Sequence, residues 1–283
     1  MIKNFSEFIN EKLTLNDISK MKHKYNYYPK DKEELKYLLE QLIKERGNEG
    51  DFNDIDTSLI TDMSFLFADN WRFNGNINNW DTSKVTNMRF MFVSAVDFNK
   101  PLNKWNTSKV TDMNHMFYDA KSFNQPIDNW NISKVTDMSS MFADAISFNQ
   151  PIGDWNTSKV TDMNYVFQGA KSFNQPIGDW DTSRVTNMNN MFYKAESFNQ
   201  PIDNWNISKV TDMNSMFADA ISFNQPIGDW NTSKVTDMNY MFQGAKSFNQ
   251  DISTWNINKV KYNHIDTFYN CPIKEEYKPK FNK

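Results

Sequence analysis

The sequence predicts an α/β solenoid: a parallel sheet of short strands, one short helix per coil, and a helical cap at the N-terminal end. Two observations predict it. Tryptophan recurs at 80, 105, 130, 155, 180, 205, 230 and 255, always 25 residues apart, with valine five residues after each one and Phe-Asn eighteen after all but the last. So many columns in phase mark a stacked repeat, in which each unit buries its apolar face only against its neighbours. The second observation is an amphipathic segment in the non-repeating first fifty residues.

That segment comes first in the chain. Within Lys32-Glu33-Glu34-Leu35-Lys36-Tyr37-Leu38-Leu39-Glu40-Gln41-Leu42-Ile43, the apolar positions 35, 38, 39, 42 and 43 share one helical face, and Gly47 lies beyond as a stop. The helix is expected to cover the open edge of the first coil and block end-to-end pairing. Residues 2–16 form a second candidate helix with Phe5, Phe8, Ile9 and Leu13 on one side. This leader weakly resembles N-terminal segments of large tailed-phage proteins, which implies a docking role on a larger assembly. Residues 1–50 are thus a cap or docking segment, 51–268 the solenoid, and 269–283 a tail, read from its Lys and Pro content as a loose end.

Within each unit, Val85, Met88, Met91, Phe92 and Ala95 fall on one helical face. Ser83 or Thr86 would cap this short helix, and aspartate in the next column would favour its positive end. The other half, such as Ile127-Asp128-Asn129-Trp130-Asn131-Ile132, alternates at Trp130 and Ile132 and reads as a short strand preceded by Pro126. One strand and one helix per unit is the leucine-rich-repeat style of coil.

The first unit is degenerate, with Ile55 in the Trp column and Ile60 in the Val column. The last decays at Asn263 and Asp266. End coils have one neighbour and need atypical sequences. Residues 122–175 match 197–250 except at Ser139/Asn214 and Val166/Met241, an internal duplication of three units that lengthens a surface without creating a new site.

The signature T-S-K-V-T-D-M-x-x-M-F-x-x-A-x-x-F-N-Q-P-I-x-x-W resembles the BspA-like surface-protein repeat, first catalogued as a mycoplasma-type domain of unknown function. The resemblance covers residues 51–268. It implies a leucine-rich-repeat-like solenoid and association with bacterial surface or adhesion proteins, and it brings no catalytic residues. The first residues, with Glu7 and Glu11, lack the apolar core of a signal peptide. A cytoplasmic or virion-associated location is therefore expected, with cell-surface display only by a non-standard route.

Composition narrows the function. Hydrophobic residues are 39% and aromatics 15%, enough for a continuous interior, while eight Gly and nine Pro do not suit a low-complexity chain. A net charge of −4 with interspersed signs offers no broad basic field, so no nucleic-acid partner is expected. No apolar run approaches the ~20 residues of a membrane span. A single cysteine, Cys271, excludes an intrachain disulfide and a cysteine metal cluster.

Interior columns are expected to be structural. The Met88-x-x-Met91 spacing resembles copper-binding methionines, but both lie on the inward face, where thioethers fill gaps. The Trp column reads as a core stack, and the Asn after each Phe as a ladder satisfying turn backbone. Residues flanking Trp then point outward: Asn79, Asp81, Asn129, Asn131, Asp154, Asn156, Asp179, Asp181, Asp229 and Asn231. This oxygen-rich row suits hydroxyl-rich sugars or calcium, though the calcium β-roll signature is absent and Lys104 interrupts the row. It is the first candidate contact face. The second is the variable helical edge at Arg89, Phe90, His115 and Tyr165, and the third the docking set Phe5, Phe8, Ile9 and Leu13. A lysine column from Lys84 to Lys234, with Arg184 in line, is placed to form ion-pair ladders with the Asp column three residues on.

Phosphate loops, dinucleotide fingerprints, zinc-protease and nucleophile-elbow motifs do not occur, and His23, His115 and His264 lie far apart. No cofactor or metal is expected. The sequence reads as a non-enzymatic interaction or adhesion solenoid facing a protein or glycan. A phage virion-associated protein is the alternative, and a polymer-acting hydrolase the remote one.

Overall fold

Asp31 starts the helical cap. In the computed structural model, which describes residues 25–261 and 266–280, α1 spans Lys32–Arg46. The Asp31 carboxylate accepts the Glu34 N–H at 2.9 Å, and the Glu34 carboxylate accepts the Lys30 N–H at 2.9 Å. This reciprocal pair caps the start of the helix. Gly47, at φ 79°, ends it by donating to the Ile43 carbonyl at 2.9 Å. Leu35, Leu39 and Leu42 are buried in the core of the stack. Arg46 ties helix to solenoid through two bonds to Asp54, 2.7 and 3.0 Å, and one to the Asp51 carbonyl at 2.7 Å. That pairing holds the Asp54 carboxyl below its ordinary range.

From residue 51 the chain winds in coils related by 25 residues, but each coil is a succession of β-turns. Around Trp105, the N–H groups of Trp105, Val110, Met116, Ala120 and Phe123 bond the carbonyls three residues earlier at 2.9–3.2 Å. Alternate N–H groups reach the next coil instead: Met88 to Asp112 O, Phe90 to Asn114 O, Phe92 to Met116 O and Ser94 to Tyr118 O, at 2.8–3.0 Å. Isolated parallel bridges run along the Asp/Asn column, from Asp62–Asn87 through Asp212–Asp237.

The helix expected over Val85–Ala95 therefore does not form. Phe90 and Ser94 both adopt φ 55°, as do their counterparts in other coils at similar values, and left-handed residues cannot sit in an α-helix. A helix would also spend inside the coil the N–H groups that here hold neighbours together. The apolar spacing of three to four residues arises from consecutive turns, which bring every third or fourth side chain inward. The strand expected over Ile127–Ile132 is likewise absent. Trp130 N–H bonds Ile127 O and Val135 N–H bonds Ile132 O, so this stretch spans two turns. Parallel pairing occurs instead at the Thr-Asp segment, where the sequence suggested a helix start.

The interior columns fall where the sequence places them. Trp80 through Trp255 are 2–5% exposed, and the Val column from Val85 to Val235 and the Met and Phe columns are buried with them. Successive Trp rings lie nearly parallel, as Trp105 and Trp130 do at 6.2 Å and 3°. Within each coil two Phe rings stack, as Phe117 and Phe123 do at 4.0 Å. Each indole N–H donates to a carbonyl of the preceding coil: Trp105 to Ile77 O at 3.1 Å, and Trp155 to Ile127 O at 3.2 Å. The Asn ladder also forms. The Asn99 side-chain oxygen accepts the Asn124 N–H at 2.9 Å and the Gln125 amide at 3.0 Å. At Gly169, φ is +63° and an added Cβ would run into the Asp144 carboxylate, so this glycine makes room for its neighbour's side chain.

The C-terminal tail is not loose over its described residues. Ile252 N–H bonds Tyr277 O at 3.0 Å, Lys274 N–H takes the last rung of the Asn ladder at Asn249 Oδ1, 3.1 Å, and Ile273 is buried. A 3-10 helix, Glu275–Tyr277, completes this second cap.

The Trp155→Phe variant keeps a ring in the stack but removes one of the two donors to the Ile127 carbonyl, which retains the Trp130 N–H. We expect a loss of about 0.5–1.5 kcal/mol for the bond, measured by urea unfolding.

Candidate interaction surfaces

The flanks of the Trp column are outward, on turns that carry the indole inward. Asn79, Asn129, Asn131, Asp154, Asn156, Asp179, Asp181, Asp229 and Asn231 are exposed, and Asp81 is half-buried. They sit on turns rather than on a sheet. In the position after Trp, one side-chain oxygen accepts the N–H two residues on, as Asp81 does from Ser83 at 2.9 Å and Asn156 from Ser158 at 3.1 Å. In the position before Trp, amides link coils: Lys104 Nζ donates to Asn79 Oδ1 at 2.7 Å, and Asn129 Nδ2 donates to Asn103 O at 2.6 Å. The lysine that interrupts the row is thus bonded into it.

Three of the four residues at the variable edge come together. Phe65, Phe90 and His115 form an external ladder, with centroids 4.8 and 4.4 Å apart and planes within 11°. Arg89 lies over the Phe65 ring at 5.6 Å, and Lys32 of α1 approaches the same ring at 5.7 Å. Burial lowers the His115 pKa, opposed by Asp137 and Asp112. Tyr165 is not part of this ladder, because Ser140 occupies the intervening coil. The docking set Phe5, Phe8, Ile9 and Leu13 lies outside the described residues.

Two features escaped the sequence reading. A cleft of about 730 Å³ lies between α1 and the first coils, lined by Lys32, Lys36, Glu40, Phe65, Asp69 and Trp71. Trp71 breaks the Trp register and is 54% exposed. Its place outside the 25-residue step was the available signal. The other feature is the half-buried acid column. Burial raises the pKa of Asp112 and Asp162, and nearby Asp137 adds to both. The ion-pair ladder expected between this column and the lysines does not form. Among the described residues no ion pair within 4.0 Å involves Lys84, Lys109, Lys134, Lys159, Arg184, Lys209 or Lys234. The aspartates instead turn one oxygen to their own backbone, as Asp112 does to Asn114 N–H at 3.0 Å.

Turn-built coils stacked in register and closed at both ends define a repeat solenoid. The profile of the family described as "Mycoplasma protein of unknown function, DUF285" matches residues 35–150, 125–220 and 175–278. The chain belongs to this family, and the match extends into α1. No curated protein matches the chain. Among solved structures, a chain of the crystal structure of a TLR13–ssRNA13 complex matches with a TM-score of 0.35 and 10% identity. The match covers 80% of this chain and 34% of that one, so the present chain spans about a third of its length. A likeness that low carries no argument about ligand or mechanism.

The acid column yields a pH prediction. A carboxyl whose folded pKa is raised binds protons more readily when folded, so stability falls as pH rises from the ordinary value of 3.8 through the raised one. Coils at 87 and 187 already carry Asn there, with the same turn bond. Asp112→Asn and Asp162→Asn should raise Tm at neutral pH, and the gain should fade below the unfolded pKa.

Proposed function

We propose that this chain is a non-enzymatic interaction module of adhesion type, presenting an extended polar surface to a protein or glycan. One observation carries the reading: the recurring aromatics are consumed in the core, and the outward repeated positions form long columns of amides, hydroxyls and carboxylates. A surface that repeats coil after coil suits a large or periodic partner better than a single reacting centre. The Phe65–Phe90–His115 ladder is a secondary contact point at one end. Its ring faces are largely occupied by one another, so it offers edges and the Arg89 cation.

The test screens the full chain against immobilised glycans and matrix proteins. For a ligand it retains, substitution of Asp154, Asn156, Asp179 and Asp181 by Ala is expected to weaken binding about tenfold, ~1.4 kcal/mol. Arg89→Ala/Phe90→Ala should leave it unchanged. The reverse pattern would move the contact to the ladder, and turnover of a bound polymer would overturn the reading.

A further inference from the structure

The lysines that do not pair with the acid column have no structural task that the packing reveals. Lys84, Lys109, Lys134, Lys159, Arg184, Lys209 and Lys234 are all exposed, one per coil. Each sits at the corner of a turn closed by the following valine, as Val85 N–H bonds Thr82 O at 3.0 Å and Val160 N–H bonds Thr157 O at 2.9 Å. Two residues on, the backbone is bonded coil to coil: Thr86 N–H to Thr61 O, Thr111 to Thr86 and Thr161 to Thr136, at 2.8–3.0 Å. Parallel pairing sets the coil rise at ~4.8 Å, and the same 25-residue bond repeated from coil to coil keeps the corners in register. With Lys259, exposed in the same column, the result is a row of eight cations about 34 Å long.

Like charges at this spacing lie well inside a screening length of about 10 Å at 0.1 M salt. Asp181, bonded to Ser183, also faces Arg184 and Lys209, but elsewhere the flanking column is mostly amide. The column three residues before holds carboxylates only at Asp81 and Asp181, with amides at Asn106, Asn131, Asn156, Asn206 and Asn231. The acids three residues after are half-buried and bonded to their own backbone. Beside the cations run exposed threonines whose hydroxyls are held in one orientation, as Thr111 Oγ1 donates to Thr86 O at 3.2 Å and Thr186 Oγ1 to Thr161 O at 3.3 Å.

We propose that this row binds a linear acidic polysaccharide, a polyuronate with one carboxylate per ring. This deepens the interaction-module reading and rests on it. A glycosidic chain advances per ring by a distance comparable with the ~4.8 Å coil rise, and in a two-fold chain alternate rings face opposite sides, so every second carboxylate meets every second cation. The flanking Thr, Ser and Asn side chains match ring hydroxyls. Single-stranded nucleic acid fits less well, because its binding sites rely on exposed aromatic platforms. Here the Trp and Phe columns are buried.

The experiment titrates the full chain with oligogalacturonate of about eight rings, enough to span ~34 Å. It uses roughly 50 and 200 mM salt. Binding should weaken with salt and strengthen with oligomer length. The Lys134→Gln/Lys159→Gln/Arg184→Gln variant should lose at least about tenfold in affinity while melting as the parent does. A charge-matched control, Lys121→Gln/Lys171→Gln/Lys246→Gln, should change little. Absence of oligogalacturonate binding, equal loss in the control, or tighter binding of an oligothymidylate would overturn the proposal. If the Asx-face substitutions abolish binding to another ligand while the cation variant does not, the row is not the contact and the interaction-module reading stands.

Discussion

Each coil satisfies its backbone only through its neighbours, and the rest of the structure follows from that dependence. A β-turn uses one N–H and one carbonyl within four residues and leaves the intervening groups facing along the stack. Phe90 N–H can meet Asn114 O only if the next coil is present, in register and 24 residues on. The same exchange recurs through the indole N–H groups and the Asn side chains, which couple side-chain identity to backbone register. A chain built this way cannot end bare. The first coil is closed by α1 and by the Arg46–Asp54 pair, and the last by Ile273 and Tyr277. Two unlike devices solve one problem, the unpaired edge.

Sequence reasoning succeeded where side-chain direction decides, and failed where backbone conformation does. The Trp, Val, Met and Phe columns were legible because burial depends on spacing alone, and α1 was legible because its caps and apolar face agree. The helix read into Val85–Ala95 was wrong because three- and four-residue spacing is produced equally by consecutive turns. The discriminating signal was present but faint. The column of Asp69, Ser94, Asp119, Asp144, Gly169, Lys194, Asp219 and Gly244 is rich in residues that tolerate positive φ. The neighbouring column, with Phe65, Phe90, His115 and Tyr165, carries large side chains at the same conformation and hides the pattern. Those residues bear the strain because the ladder of inter-coil bonds over-determines their backbone.

On the surface, the Asx flanks were placed outward correctly, but by the alternation of a strand that does not form; turns around the buried indole put them there. Their role as turn makers was not foreseen, since an Asx side chain bonding the N–H two residues on looks in sequence like any exposed polar residue. The lysine–aspartate ladder failed on a similar point. Three residues apart on a helix would have brought the two charges together. On a coil of turns the lysine projects from a corner and the aspartate folds back on its own backbone.

That failure changes what the cation row means. Repetition alone is weak grounds for function here, because Lys134 and Lys159 reappear as Lys209 and Lys234 inside a block that is nearly a copy. Lys84, Lys109 and Arg184 lie outside both copies, and at Arg184 the charge persists although the residue differs. A guanidinium and an ammonium share no packing or turn requirement at an exposed corner; they share the positive charge. The column six residues past the cations, outside the copied block, behaves oppositely: Phe65, Phe90, His115 and Asn190 keep neither charge nor size. The cation column is therefore held to a charge while the half-buried column of Phe90 and His115 changes its chemistry from coil to coil. Packing does not require a charge at an exposed corner, and electrostatic complementarity to a partner whose charge repeat is commensurate with the coil rise does.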